Sequence, residues 1–228
     1  MSDNLIESNK VTLIGDLVSG FAYSHTIFGE VFYKVIIEVP RLSDNVDQLP
    51  VIISERLLND KSFQPGNKIV VKGQLRSYNR RVDDRSRLIL VIFAKDMELL
   101  TEENTDKNNP NYIFLDGFIC KPTIYRETPF GREICDVLLA VNRMYNKSDY
   151  IPCITWGRNA RYAKNLEIGD RIHIWGRIQS RNYEKKLSGG DVEEKVAYEV
   201  SISKLIKEDL NELGESSEIE SEVKTEEY

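Results

Sequence analysis

The residues with the most to offer chemically lie in the second half of the chain. Tyr150 and Trp156 stand six positions apart in Tyr-Ile-Pro-Cys-Ile-Thr-Trp, whose apolar, β-branched character predicts a strand. An even separation puts both rings on one face of such a strand. Tyr145 precedes them and Tyr183 follows, and Arg143, Lys147, Arg158, Arg161, Arg177, Arg181, Lys185 and Lys186 are interleaved. Flat rings among cations suit a flexible polyanion whose bases are unstacked. A ring stacks on a base for ~1–3 kcal/mol, and each cation releases counterions from the phosphates. A plainer reading keeps the tyrosines as cover for the edges of the fold, Trp156 as a core residue and the cations as a solvated face.

Catalysis finds no comparable set. His25, expected in a turn, and His173, expected in an alternating strand, sit at non-equivalent places in the two halves, so no acid–base pair forms. Phosphate-loop, nucleophile-elbow and HExxH patterns are missing. Ser188-Gly-Gly190 falls between two strands and reads as a hairpin tip. Cys120, Cys135 and Cys153 are odd in number and lack CxxC spacing, which favours reduced buried thiols over a disulfide or a zinc site. The expectation is a binding protein rather than an enzyme, with no metal and no cofactor.

The elements that must position these residues come twice. Val11-Thr-Leu-Ile-Gly15 aligns with Ile113-Phe-Leu-Asp-Gly117 at an offset of 102. Tyr23, Thr26, Phe28, Gly29, Val35, Val39 and Arg41 meet Tyr125, Thr128, Phe130, Gly131, Val137, Val141 and Arg143 in that register. One position later, Gly66, Ile69, Gly73 and Ser77 meet Gly169, Ile172, Gly176 and Ser180. Such a register marks a tandem duplication. Strands are predicted at 10–18, 28–39, 48–54, 67–78 and 88–97, with a short helix near 55–61. The second half repeats them at 112–121, 134–142, 150–156, 171–181 and 196–206, with a helix over 158–166. Five strands with one helix between the third and fourth is the order of the OB-fold, a five-stranded Greek-key barrel. The fold class is therefore all-β: two tandem OB barrels over 1–100 and 111–206, a polar linker at 101–110, and a disordered acidic tail over 207–228. Gly15, Gly117, Gly73 and Gly176 read as places where a bare backbone lets a strand coil.

Length and charge agree. At 228 residues the chain has room for two small domains, and a 41% hydrophobic share is too high for a disordered polymer. The net charge of −6 is a property of the tail. From Lys207 to Tyr228 nine acids face two bases, a balance of −7 that leaves the preceding body at +1. The opening MSDNLIESNK has no apolar signal core, and no run approaches the ~18 apolar residues of a membrane span. A cytoplasmic protein with no membrane partner is expected.

At this point a resemblance becomes specific. The elements Ile113-Phe-Leu-Asp-Gly117, Phe130-Gly131, Val137-Leu-Leu-Ala-Val-Asn-Arg143, Tyr150-Ile-Pro-Cys-Ile-Thr-Trp-Gly157 and Gly169-Asp-Arg-Ile-His-Ile-Trp-Gly-Arg-Ile-Gln179 resemble, in order and spacing, the bacterial single-stranded DNA-binding protein family. The likeness covers 112–206 well and 10–100 more weakly. It implies sequence-independent binding of single-stranded DNA in replication, recombination and repair, with base stacking at Tyr145, Tyr150, Trp156 and Tyr183, and association with the nucleoid. It also implies four OB-folds in the binding unit, which two copies of a tandem chain would supply as a homodimer. The first half departs from the pattern, with Gln48, Ser54 and Arg80 where the second has Tyr150, Trp156 and Tyr183. Its remaining cations, Arg76, Arg80 and Arg81 with Arg85 and Arg87, are left for phosphate contacts. Unequal halves are expected, so that fragments 1–106 and 107–228 would differ in affinity for poly-dT. The family's tail usually ends in an Ile-Pro-Phe-like tip that recruits replication and repair proteins; this one ends Glu226-Glu-Tyr228. The alternative is an OB-fold adaptor of a primosome or replication-restart complex, with nucleic acid secondary. A translational RNA binder is weaker still, since nothing here reads a 2′-hydroxyl.

Overall fold

The computed structural model describes residues 7–41, 43, 45–58, 62–82, 85–101, 109–186 and 192–208. The first half runs β1 (Asn9–Leu17), β2 (Ala22–Ile27), β3 (Glu30–Pro40), β4 (Val46–Ser54), a 3-10 turn (Glu55–Leu57), β5 (Lys68–Val82) and β6 (Arg85–Leu99). The second runs β7 (Asn111–Ile119), β8 (Ile124–Glu127), β9 (Glu133–Arg143), β10 (Lys147–Trp156), α1 (Gly157–Ala163), β11 (Arg171–Lys186) and β12 (Val192–Lys207). Strict alternation makes each first strand one-sided. Val11, Leu13 and Leu17 are buried in β1, as are Ile113, Leu115 and Ile119 in β7.

Each half closes as an OB barrel. β1 pairs with both β3 and β5, and β4 meets β6 in parallel at Val51↔Ile92. β7 likewise pairs with β9 and β11, and β10 meets β12 in parallel at Cys153↔Val200. Closure needs sharp coiling where strands change partners. At Gly176 a Cβ would run into the Ser201 carbonyl oxygen, and at Gly73 into that of Phe93. Both lie at register shifts of their hairpins, so these glycines serve the barrel.

Three details differ from the sequence reading. Each half has a sixth, short strand, β2 or β8, folded back as a hairpin arm on the next one. His25 consequently lies in β2, opposite Phe32, and not in a turn. The first half's helix is reduced to a 3-10 turn as far as Leu58, and 59–61 lie outside the described residues. The β11–β12 hairpin is longer than alternation alone suggested, pairing as far as Lys186↔Val192. Lys207 is still paired in β12, and Glu208 binds Arg171 (2.7 Å). The acidic residues beyond Glu208, and most of the linker, lie outside the described residues.

The two barrels are not beads on a string. β1 and β7 pair antiparallel from Asn9↔Leu115 to Leu13↔Asn111, so one sheet order runs through all 12 strands. Buried side chains of both barrels form one contiguous core. The joint is pseudo-symmetric. The buried Asn9 amide donates to the Leu75 carbonyl (2.7 Å) and its oxygen accepts from the Leu75 N–H (2.9 Å). Asn111 does the same to Ile178 at the same two distances.

Two buried aspartates cross the joint. Asp47, at the start of β4, accepts from the Ser180 N–H (2.7 Å) of the other barrel and pairs with Arg41 (2.5 Å) and Arg177 (3.3 Å). Asp149, at the start of β10, accepts from the Ser77 N–H (2.6 Å) and pairs with Arg76 (3.0 Å) and Arg143 (3.4 Å). A carboxylate so deep in protein is tolerable only when its lone pairs and charge are met, as both are here.

Candidate nucleic-acid interface

β10 shows how the strand sorts its side chains. Ile151, Cys153 and Thr155 face the core, while Tyr150 and Trp156 point outward, 46% and 41% exposed. At ~3.3 Å per residue they are separated by about 20 Å along the strand. Tyr183, on the β11–β12 hairpin, is 39% exposed. Tyr145 occupies the three-residue turn between β9 and β10 at φ +62° and is 87% exposed. Trp156 is thus not the core residue of the plainer reading. A ring held in the left-handed region, as at Tyr145, is uncommon for a bulky residue.

The start of β10 is fixed from the other barrel. Ser77 of β5 accepts the Tyr150 N–H through its hydroxyl (2.7 Å), while its own N–H reaches Asp149. The first barrel thus holds the backbone that presents Tyr150. The far end is fixed within the second barrel. Trp156 pairs with Ile134, and the chain then turns at Gly157 (φ +55°) into α1, whose Ala160 and Ala163 are buried.

The expected phosphate contacts divide into two groups. Arg76, Arg143 and Arg177 lie at the joint with the buried aspartates, and Arg76 and Arg177 also bond Gln74 and Gln179. Arg76 and Arg177 hold barrel to barrel, while Arg143 meets Asp149 from within the second barrel. Sequence alone could not see this, because an arginine beside a groove and an arginine at an internal joint look identical until Asp47 and Asp149 come across. The signal that could have shown it is the repeat itself, since Arg41, Asp47 and Asn9 recur as Arg143, Asp149 and Asn111 at the same offset. Partial burial lowers the Arg177 pKa, which Asp47 opposes and Arg41 reinforces.

The second group lies outside. Lys147 at the head of β10 and Arg158 after Trp156 are exposed and, among the described residues, carry no ion pair; the same holds for Arg80 on β5. Arg161 is exposed but bonds Glu133 (2.9 Å), and Arg181 stands 4.0 Å from Glu199. Arg81 is exposed and has an interaction of its own. Lys185 and Lys186 end β11, with side chains outside the described residues.

The equivalent face of the first barrel is built otherwise. Ser54, in place of Trp156, caps the 3-10 turn by accepting the Arg56 N–H (3.1 Å) and bonds Glu30. Gln48, in place of Tyr150, bonds Glu38 (3.2 Å). Some aromatic side chains of this barrel form a cluster away from β4, where His25 stacks on Phe32 (4.8 Å, 11°) and Phe32 meets Phe93 (5.6 Å); Tyr23, Phe28 and Tyr78 are exposed outside it. No group of metal-ligating side chains occurs among the described residues. Burial pushes all three thiols up in pKa. Among the described residues, no helix is long and apolar enough to cross a membrane.

Comparison with known proteins falls on the same half. Residues 110–206 match the single-strand binding protein family. The second barrel therefore resembles that family, and so, through it, does the chain. It is 36% identical over 83 residues to single-stranded DNA-binding protein A of Bacillus subtilis, covering 33% of this chain and 48% of the relative. The same identity and length relate it to single-stranded DNA-binding protein 1 of Staphylococcus aureus, covering 50% of that protein. The chain thus spans about half the length of the curated relatives it matches. The wild-type single-stranded DNA-binding protein of Thermus aquaticus superposes with a TM-score of 0.70 at 19% identity, covering 88% of this chain and 93% of that one. The overall fold, across both barrels, is thus shared with that structure.

Proposed function

We propose that this protein binds single-stranded DNA without reading its sequence, and that the second barrel carries the principal site. The observation that supports this most is the outward exposure of Tyr150, Trp156 and Tyr183, set against polar residues at all three equivalent places in the first barrel. Bases stack on Tyr145, Tyr150, Trp156 and Tyr183 while Lys147, Arg158, Arg161 and Arg181 neutralise the backbone. Protection of unpaired strands in replication, recombination and repair is the role such binding serves. Two chains working as a homodimer would bring four barrels to one strand.

The test is tryptophan fluorescence. Poly-dT quenches the fluorescence of Trp156 and Trp175 strongly in low salt, and quenching weakens as salt rises. Absence of quenching at low salt would remove this reading and favour an adaptor that docks protein. Variants of the whole chain are the right material, because cutting it between the barrels would strip Asp47 and Asp149 of their partners. Light scattering with and without dT oligomers settles the stoichiometry.

A further inference from the structure

Each barrel presents one phenylalanine for which the fold has no use. Phe28 and Phe130 sit at the tips of the β2–β3 and β8–β9 hairpins, 105% and 91% exposed, at equivalent positions of the repeat. The two turns differ. Phe28 stands at φ +50° before Gly29 at φ +81°, whereas at the other tip only Gly131 is left-handed (φ +71°). A left-handed position favours Asn, Asp or Gly, and a bulky ring there costs about 1–2 kcal/mol. Local folding thus disfavours Phe28, and no core contact at either tip compensates.

The hairpin beneath Phe130 is firmly held. Glu133 accepts from the Tyr125 hydroxyl (2.6 Å) and from Arg161 of α1 (2.9 Å), Lys164 lies over the Tyr125 ring, and Arg126 forks onto Asp136. The Tyr125 phenol is pushed up to about 12 by its bond to Glu133. A braced arm with a bare ring at its end is a positioned contact. Its direction follows from register. β10 runs from Tyr150 to Trp156, Trp156 lies opposite Ile134, and β9 leads back from Ile134 through Glu133 and Arg132 to the tip. Phe130 therefore lies beyond Trp156, by about 10 Å, on the side away from Tyr150. The ring-bearing track of the second barrel continues onto its hairpin.

We propose that Phe130 is a further base-stacking residue, extending the path of single-stranded DNA past Trp156 onto the β8–β9 tip, and that Phe28 does the same on the first barrel for longer strands. This rests on the DNA-binding reading above. The ligand is an unpaired base rather than a protein because Phe130 continues a row of exposed rings and the nearest exposed charge on its turn is cationic, Arg132.

The experiment titrates the whole chain, Phe130→Ala and Phe28→Ala with dT oligomers of increasing length, read by Trp156 fluorescence. Phe130→Ala weakens binding about fivefold or more once the oligomer reaches past Trp156, and leaves the shortest oligomers and the melting temperature unchanged. Phe28→Ala shows its loss only at greater length. Phe130→Trp keeps the affinity and adds a quenched tryptophan. An oligomer lacking bases abolishes the difference between Phe130→Ala and the parent. Parent-like binding by Phe130→Ala at every length, or an unquenched Phe130→Trp, overturns the inference while the parent's own binding leaves the broader reading intact. If the parent fails to bind at all, both fall. Loss of a protein contact with DNA binding untouched also overturns it.

Discussion

The two barrels share a backbone and differ in what they show to solvent. Where the second exposes Tyr150 and Trp156 along β10, the first has Gln48 bonded to Glu38 and Ser54 capping a 3-10 turn. The rings have not vanished from the first barrel. Phe32, Phe93 and His25 cluster over β2, β3 and β6, while Tyr23, Phe28 and Tyr78 stay exposed on other elements than β4. The joint behaves oppositely, since Asp47 and Asp149 each accept from a serine N–H of the other barrel and pair with one arginine from either side. Duplication therefore kept what holds the barrels together and released what faces outward. An interior carboxylate has few acceptable arrangements, whereas a surface position tolerates many side chains so long as the strand survives.

The largest expected effect tests the shared part. Asp149→Ala leaves Arg76, Arg143 and the Ser77 N–H without their partner, and should lower stability by about 3 kcal/mol or more in denaturant unfolding. Asp47→Ala should cost about the same. A large inequality would show that the joint is not symmetric in energy.

Next comes the part that differs. Trp156→Ala and Tyr150→Ala should each weaken poly-dT binding by ~1–3 kcal/mol, and Gln48→Ala by less than about 0.5 kcal/mol in the same titration. Equal losses in the two barrels would erase the distinction. A smaller effect is expected from giving the first barrel a ring. Ser54→Trp removes a helix cap, at about 1 kcal/mol in a thermal melt, and adds a fluorophore that poly-dT quenches only if this face lies on the DNA path.

The smallest effect separates the two kinds of arginine. Arg158→Ala should reduce the slope of log affinity against log salt by about 0.7 without changing stability. Arg177→Ala should leave that slope alone and lower the denaturation midpoint. The opposite pattern would return Arg177 to the DNA and take Arg158 from it.

Much of this was legible before any coordinates. Alternation in β1 and β7 and the repeat register were enough for two barrels, because a strand with one buried face leaves a period-two trace whatever its partners. That Tyr150 and Trp156 share a face followed from their even spacing, whereas that the face is the outward one did not, since Ile154 at the same parity is buried. His25 was misplaced because the Phe28-Gly29 turn makes a hairpin whose short, exposed arm has no alternation to read. The carboxylates beside Arg76 and Arg177 escaped the sequence reading because they lie 73 and 130 residues away in the chain.

By itself, then, the sequence determined the barrels, their duplication and the strand that carries the rings, since these depend on local pattern and on residues near one another in the chain. Only the tertiary structure decided which arginines meet buried carboxylates and which barrel fixes Tyr150. Charge is spoken for by whatever lies closest in space, and here the closest carboxylates to Arg76 and Arg177 belong to the opposite barrel, brought there by the pairing of β1 with β7.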